Sequence, residues 1–229
     1  MRLSDVPNAA VIFDLDGTLI DSAPDIAAAL NHALGLEGLT PLPLPIVRGM
    51  IGDGVKALIG KALAHLGRAD AGGLSVRLHE VFQAYARRHP VVETTIYPDM
   101  TALLAGLKAG GARLGVCTNK TAALADLIVS QLPFAGFIDV VTGGDGPYPP
   151  KPDPASLLAT VAALEVPPVS AVYVGDMRVD WLTARAAGVR FIGVDHGDWN
   201  YNDPDLGRLI PAPGATALGE RLLRDAVQS

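Results

Sequence analysis

Two hydrophobic rhythms run along this chain. Short apolar runs bounded by turn residues recur at Ala10–Phe13, Arg113–Cys117, Phe137–Thr142, Ala171–Val174 and Arg190–Val194, and read as strands. Between and after them lie stretches of helical spacing at Met100–Ala109, Ala122–Gln131, Ala155–Leu164, Trp181–Ala187 and Ala217–Ala226, with Asp99 placed to cap the first. Strand followed by helix, repeated, predicts a mostly parallel sheet in the α/β class. From about Pro24 to Glu93 the alternation stops. Helical patterns follow one another at Asp25–Leu34, near Ile46, at Val55–Leu66 and at Leu74–Arg88, with Val55, Leu58, Ile59, Ala62, Leu63 and Leu66 on one face. Four such helices can bury a core of their own. The expected organisation is an α/β core domain from residues 1–22 and 94–229, with an all-helical domain over 23–93 and hinges at Asp21–Pro24 and Val91–Tyr97. Pro147–Pro154 reads as a stiff loop.

Chemistry gathers where the strands end. The first apolar run stops at Asp14-Leu15-Asp16-Gly17-Thr18, so a strand delivers two carboxylates to the carboxyl edge of the sheet, where open α/β sheets bind their ligands. Two acids so close repel one another unless a cation or hydrogen bonds compensate, and Mg2+ prefers such oxygen ligands. A second strand ends in Thr118-Asn119-Lys120, whose threonine hydroxyl can bond a phosphate oxygen. Lys151 stands between prolines in Pro149-Pro150-Lys151-Pro152-Asp153-Pro154, which restrict where its ammonium can go. A further apolar strand ends in Gly175-Asp176, with Asp180 one helical turn on, a pair suited to a metal ligand and a residue that orients it. Singly, each is an ordinary turn, helix cap or solvated charge. Four strand ends carrying acids, hydroxyl, lysine and acids in this order are poorly explained as independent caps.

Composition narrows the function classes. A net charge of -6 at pH 7 argues against a general nucleic-acid face or an anionic membrane surface. Cys117 is the only cysteine, so no intrachain disulfide forms, and a reducing, cytoplasmic setting is expected. No apolar run reaches membrane-spanning length.

These segments, Phe13-Asp14-Leu15-Asp16-Gly17-Thr18-Leu19 with Asp21-Ser22, Thr118-Asn119-Lys120, Lys151-Pro152-Asp153-Pro154 and Gly175-Asp176 with Asp180, resemble those of haloacid-dehalogenase-superfamily phosphatases. Within that superfamily the chain is similar to the phosphoglycolate-phosphatase-like branch, including Arg48-Gly49 to Gly54 and Gly143-Gly144-Asp145. Met177 stands where a small hydroxyl residue is common. The resemblance implies a Rossmann-like core with an inserted helical cap, and a phosphomonoesterase acting on a small soluble metabolite, with 2-phosphoglycolate favoured. It implies Asp14 as nucleophile, Asp16 as general acid and base, and Mg2+ held by the Asp14 carboxylate, the Asp16 carbonyl and Asp176. Thr118, Asn119 and Lys151 would bind the phosphoryl group, and Asp180 would support the site from behind. A dehalogenase has no leaving alcohol to protonate, so Asp16 speaks against that chemistry. A sugar phosphatase, a pyrophosphatase, a β-phosphoglucomutase-like enzyme and a non-catalytic phosphate-binding or scaffold protein are the alternatives. The expected partner is a phosphate ester, with neither nucleic acid nor membrane, and the protein a monomer or homodimer.

Other motifs resolve as packing or as incomplete sites. Gly52-Asp53-Gly54-Val55-Lys56-Ala57 fits a loose dinucleotide pattern, but no strand precedes it. Gly60-Lys61 lacks the rest of a P-loop, and Cys117 lacks the arginine of a Cys-x5-Arg phosphatase loop. His32, His65, His79, His89 and His196 have no metal-like spacing, and Trp181 and Trp199 read as packing residues. In the cap, Gly52–Gly54 opens a helix whose start attracts anions, with Arg48 and Lys56 as candidates to meet a substrate carboxylate.

Overall fold

A computed structural model of the protein describes residues 9–197, 200, 202–204 and 206–225. Trp199 and the expected helix end at Ala226 lie outside the described residues. The chain divides into two compact units, Met1–Ile20 with Ile96–Ser229, and Asp21–Thr95.

The first unit is built on a six-stranded sheet in the order β5-β4-β1-β6-β7-β8. Its strands are β1 (Ala10–Phe13), β4 (Arg113–Cys117), β5 (Val140–Thr142), β6 (Ala171–Gly175), β7 (Arg190–Asp195) and β8 (Ala212–Pro213), every pair parallel. Parallel strands need crossovers, and α5 (Met100–Ala109), α6 (Ala122–Ser130), α7 (Ala155–Ala163) and α8 (Arg178–Ala187) lie in them, while α9 (Gly214–Asp225) follows the last strand. The α/β class expected from the alternating pattern is what the chain adopts. Ile12, Leu157, Val161, Leu164 and Tyr173 are buried together on one sheet face, where β-branched and aromatic side chains fit a pleated surface covered by helices.

The second unit is helical, with α1 (Ala23–Leu36), α2 (Leu44–Arg48), α3 (Val55–His65) and α4 (Leu74–Arg88). Leu30, Leu34, Val47, Ile59, Leu63, Leu78 and Phe82 pack into its own core. The carboxylate of Asp25, in the first turn of α1, accepts from the backbone N–H groups of Val92, Glu93 and Thr94 and from the Thr94 hydroxyl. It thereby ties the beginning of this unit to its end. Two-residue strands β2 (Ile20–Asp21) and β3 (Thr95–Ile96) pair with each other where the chain passes between the units.

Several local expectations are corrected. The strand expected at Phe137–Thr142 is only Val140–Thr142, because Ala135–Phe137 forms a 3-10 turn. Helix α8 starts at Arg178, ahead of Trp181, since Asp180 closes its first turn by accepting from the Met177 N–H. Asp99 does precede α5, but at φ 62 its side chain makes no capping hydrogen bond.

Candidate active site

Register brings the strand ends level. Phe13 pairs with Val116 on one side and Val174 on the other, so Asp14 follows β1 at the height of Cys117 and Gly175. The Asp14 N–H donates to Val174 O at 2.9 Å, and the Thr118 N–H donates to Thr142 O at 3.0 Å, extending the ladder into the loops. Asp14, Thr118, Lys151 and Asp176 therefore share one edge of the sheet.

Two glycines permit this crowding. A Cβ on Gly17, whose φ is +82, would lie 2.3 Å from Asp176 Oδ2. At Gly175 a Cβ would lie 2.5 Å from the Asp180 carboxylate. Neither position admits a side chain without moving an acid. Thr18 adds a hydrogen bond of 2.6 Å from its hydroxyl to Asp176 Oδ1, fixing that carboxylate across the sheet edge. The Thr18 carbonyl is in turn 3.1 Å from His196 Nε2, and the His196 ring stacks on Tyr97 at 3.6 Å.

Lys151 is the centre of the charge arrangement. The residue is 4% exposed, and its ammonium donates to Asp180 Oδ1 at 2.6 Å and to the Tyr173 hydroxyl at 2.9 Å. It lies 3.1 Å from Asp14 Oδ1. That last contact is an ion pair without hydrogen-bond geometry, and Asp14 Oδ1 is a buried oxygen with no hydrogen bond among the described residues. The Tyr173 hydroxyl also reaches Cys117 O at 2.8 Å and Asp180 Oδ1 at 3.0 Å, so its one proton serves one of these while it accepts from Lys151. The amide of Asn119 holds the Lys151 backbone in both directions, accepting from its N–H at 2.8 Å and donating to its carbonyl at 3.2 Å. Asn119, expected to meet substrate, thus sets the position of the lysine. Lys120 points its ammonium to Asp16, 3.2 Å from Oδ2.

The electrostatics are those of acids gathered around one cation. Burial pushes the Asp14 carboxyl up to about 7, against the pull of Lys151 and with the added repulsion of Asp180 and Asp16. Asp176 is raised well above the ordinary carboxylate range, first by burial and then by Asp180 and Asp14. Burial works to lower Lys151, but Asp14 and Asp180 outweigh it and hold the lysine protonated. Asp14, Asp176 and Asp180 each offer an oxygen within 4.8 Å of the others'. An unbonded buried oxygen among mutually repelling carboxylates fits a hard divalent cation, which would relieve the repulsion. Both Asp180 oxygens already have partners, Lys151 with Tyr173 and the Met177 N–H, which favours Asp14 and Asp176 as the metal-facing pair.

The helical unit holds the other candidate residues. Arg48 is half-buried, with both terminal nitrogens 2.9 Å from the Asp21 carboxylate oxygens. Lys56 is exposed. Sequence reasoning assigned no role to Thr18, Tyr173 or Lys120 in the site. Thr18 and Lys120 lay inside the motifs and could have been found there, whereas Tyr173 reads as an ordinary apolar strand residue.

Comparison with known proteins agrees with this geometry. Residues 11–194 match the family model for haloacid dehalogenase-like hydrolases. The chain is 45% identical over 181 residues to a phosphoglycolate phosphatase of Cereibacter sphaeroides, covering 79% of this chain and 82% of that protein. It is 40% identical over 218 residues to a phosphoglycolate phosphatase of Rhodospirillum rubrum, covering 93% and 90%. A crystal structure from Lactobacillus delbrueckii subsp. bulgaricus superposes with a TM-score of 0.83 at 26% identity, covering 97% of this chain and 99% of that one. On this family match and these relatives, the chain belongs to the haloacid dehalogenase-like hydrolases.

Proposed function

We propose that the protein is a Mg2+-dependent phosphomonoesterase of the cytoplasm, with 2-phosphoglycolate as its substrate. The observation that carries the reading is the buried Lys151 ammonium beside the unbonded oxygen of Asp14, with Thr118 on the adjoining strand end. A fixed cation next to an acid with a free lone pair is what in-line attack on a phosphoryl group requires. The substrate follows the relatives above, both named phosphoglycolate phosphatase.

In this account Asp14 attacks phosphorus and forms an aspartyl-phosphate, while Asp16 gives its proton to the leaving alkoxide. Asp16 then takes a proton from the water that hydrolyses the intermediate, which returns Asp14 to its carboxylate and Asp16 to its protonated acid. Thr118 and Lys151 hold the transferring oxygens, and Asp180 with Tyr173 keeps the lysine aimed at them. Asp14, the Asp16 carbonyl and Asp176 would hold Mg2+, which supplies charge neutralisation between anionic nucleophile and anionic substrate.

The test is phosphate release from small phosphomonoesters, 2-phosphoglycolate and sugar phosphates among them, with Mg2+ and with chelator. The proposal expects Mg2+-dependent release with the highest kcat/KM on 2-phosphoglycolate. A sugar phosphate at the top of the ranking would overturn the substrate, and release unaffected by chelator would overturn the metal.

A further inference from the structure

We infer that Lys120 selects the substrate from within the α/β core, by binding a carboxylate on the carbon that carries the leaving oxygen. The inference rests on the phosphatase reading above and deepens it. Lys120 follows β4, two residues after Thr118. Its side chain is 10% exposed, unusually enclosed for a lysine, and its ammonium lies 3.2 Å from Asp16 Oδ2. Its backbone is fixed as well, since the Lys120 N–H donates to Thr118 Oγ1 at 3.3 Å and the Lys120 carbonyl accepts from the Gly144 N–H at 2.8 Å.

Position gives the chemistry. Asp16 must come within hydrogen-bond reach, about 3 Å, of the leaving oxygen to protonate it. Two such contacts in series put the Lys120 ammonium roughly 6 Å from that oxygen. A carboxylate on the adjacent carbon places its own oxygens about 3 Å from the leaving oxygen, which closes the remaining gap. An ammonium carries three donors, so it can keep Asp16 and accept a substrate carboxylate together. Sugar phosphates and simple alkyl phosphates offer neutral hydroxyl or methylene groups at that place. They leave an enclosed cation without its second anion, and a difference of that kind separates substrates strongly.

The cap residues are placed differently. Arg48 directs both terminal nitrogens to Asp21, and Lys56 is exposed. Within the α/β unit, Lys120 stands beside Asp16, the residue that meets the leaving oxygen.

The experiment compares kcat/KM for 2-phosphoglycolate and 2-hydroxyethyl phosphate, which replaces the carboxylate by a neutral group, in wild type, Lys120→Met, Lys120→Arg and Arg48→Ala. Both activities will fall in the Lys120 variants, because the ion pair between Lys120 and Asp16 is altered, so the ratio between the esters is the quantity read. A ratio within one preparation is also insensitive to the fraction folded. The wild-type ratio favours 2-phosphoglycolate, Lys120→Met lowers it about 10-fold or more, and Lys120→Arg keeps most of it. A ratio unchanged by Lys120→Met, or lowered only by Arg48→Ala, overturns the inference while leaving the phosphatase reading intact. Release of phosphate from neither ester overturns that reading and this inference with it.

Discussion

The two units of this chain treat charge in opposite ways. In the α/β unit, Asp14, Lys151 and Asp180 are buried at 5%, 4% and 0% exposure, and the acids outnumber the cation. Among the described residues the helical unit buries no charged side chain, and its core is Leu30, Leu34, Ile59, Leu78 and Phe82. Its ions pair at the surface, as in Arg77 with Glu37 and Lys61 with Asp53. Desolvated charges act strongly on whatever ligand replaces water, but they cost stability, whereas an apolar helical core gains stability and does no electrostatic work. Chemistry and packing are thus assigned to different parts of one polypeptide.

Removing the central cation should give the largest effect. Lys151→Met leaves Asp14 and Asp180 facing each other without compensation, so about 3–5 kcal/mol of stability and nearly all turnover should be lost. Urea unfolding checks the first and phosphate release the second. Adding Asp180→Asn to that variant should recover part of the stability and none of the activity.

In the helical unit the corresponding cut is apolar. Leu78 is fully buried, and Leu78→Ala should cost about 2–5 kcal/mol through lost burial and a residual cavity. The loss should be indifferent to salt and, between pH 5 and 8, to pH. A strong salt dependence would show that hidden charges support this core.

Asp25 should contribute to the pH response of the helical unit, beside Asp21, Glu37 and Asp70, whose carboxyls are also held low. Burial tends to raise the Asp25 carboxyl, but the Thr94 hydroxyl and the backbone N–H groups of Val92, Glu93 and Thr94 outweigh burial and hold it below the ordinary value. A depressed folded-state value means that the stabilisation is present above the unfolded value of about 4 and is lost as pH falls through the folded one. Asp25→Ala should therefore cost about 1–2 kcal/mol at pH 7, discounted for partial exposure, with the difference from wild type vanishing in strong acid. Thermal melts from pH 7 to pH 2 measure this, and a constant difference across that range would refute it. The smallest effect is expected at Arg48–Asp21, whose side chains are 33% and 26% exposed, where Arg48→Ala should shift stability by less than about 1 kcal/mol.

How much was legible in sequence follows from the same contrast. The strands carrying the site were readable because apolar, β-branched runs stop abruptly at Asp14, Thr118 and Asp176, and the parallel register then gathers those ends without further information. The cap helices were readable from their 3.6-residue spacing. Two-residue strands such as Ile20–Asp21, Thr95–Ile96 and Ala212–Pro213 have too few positions to show any period. Tyr173 was invisible for a different reason. An aromatic residue in a strand is ordinary core, and only the fold shows that its hydroxyl meets Lys151 and Asp180 at their shared contact. Asn119 was recognisable as part of a site, but its pairing with the Lys151 backbone depends on a loop 32 residues away.

The account turns on Asp14 as the nucleophile. The direct measurement is rapid acid quench of the enzyme during turnover of 2-phosphoglycolate with Mg2+, followed by peptide mass analysis. The account predicts a phosphoryl group on the peptide bearing Asp14, formed before phosphate is released and absent from Asp14→Asn, which should turn over slower by roughly 10^4-fold or more. Undiminished turnover by Asp14→Asn, or a phosphoryl group on any other residue, would contradict it.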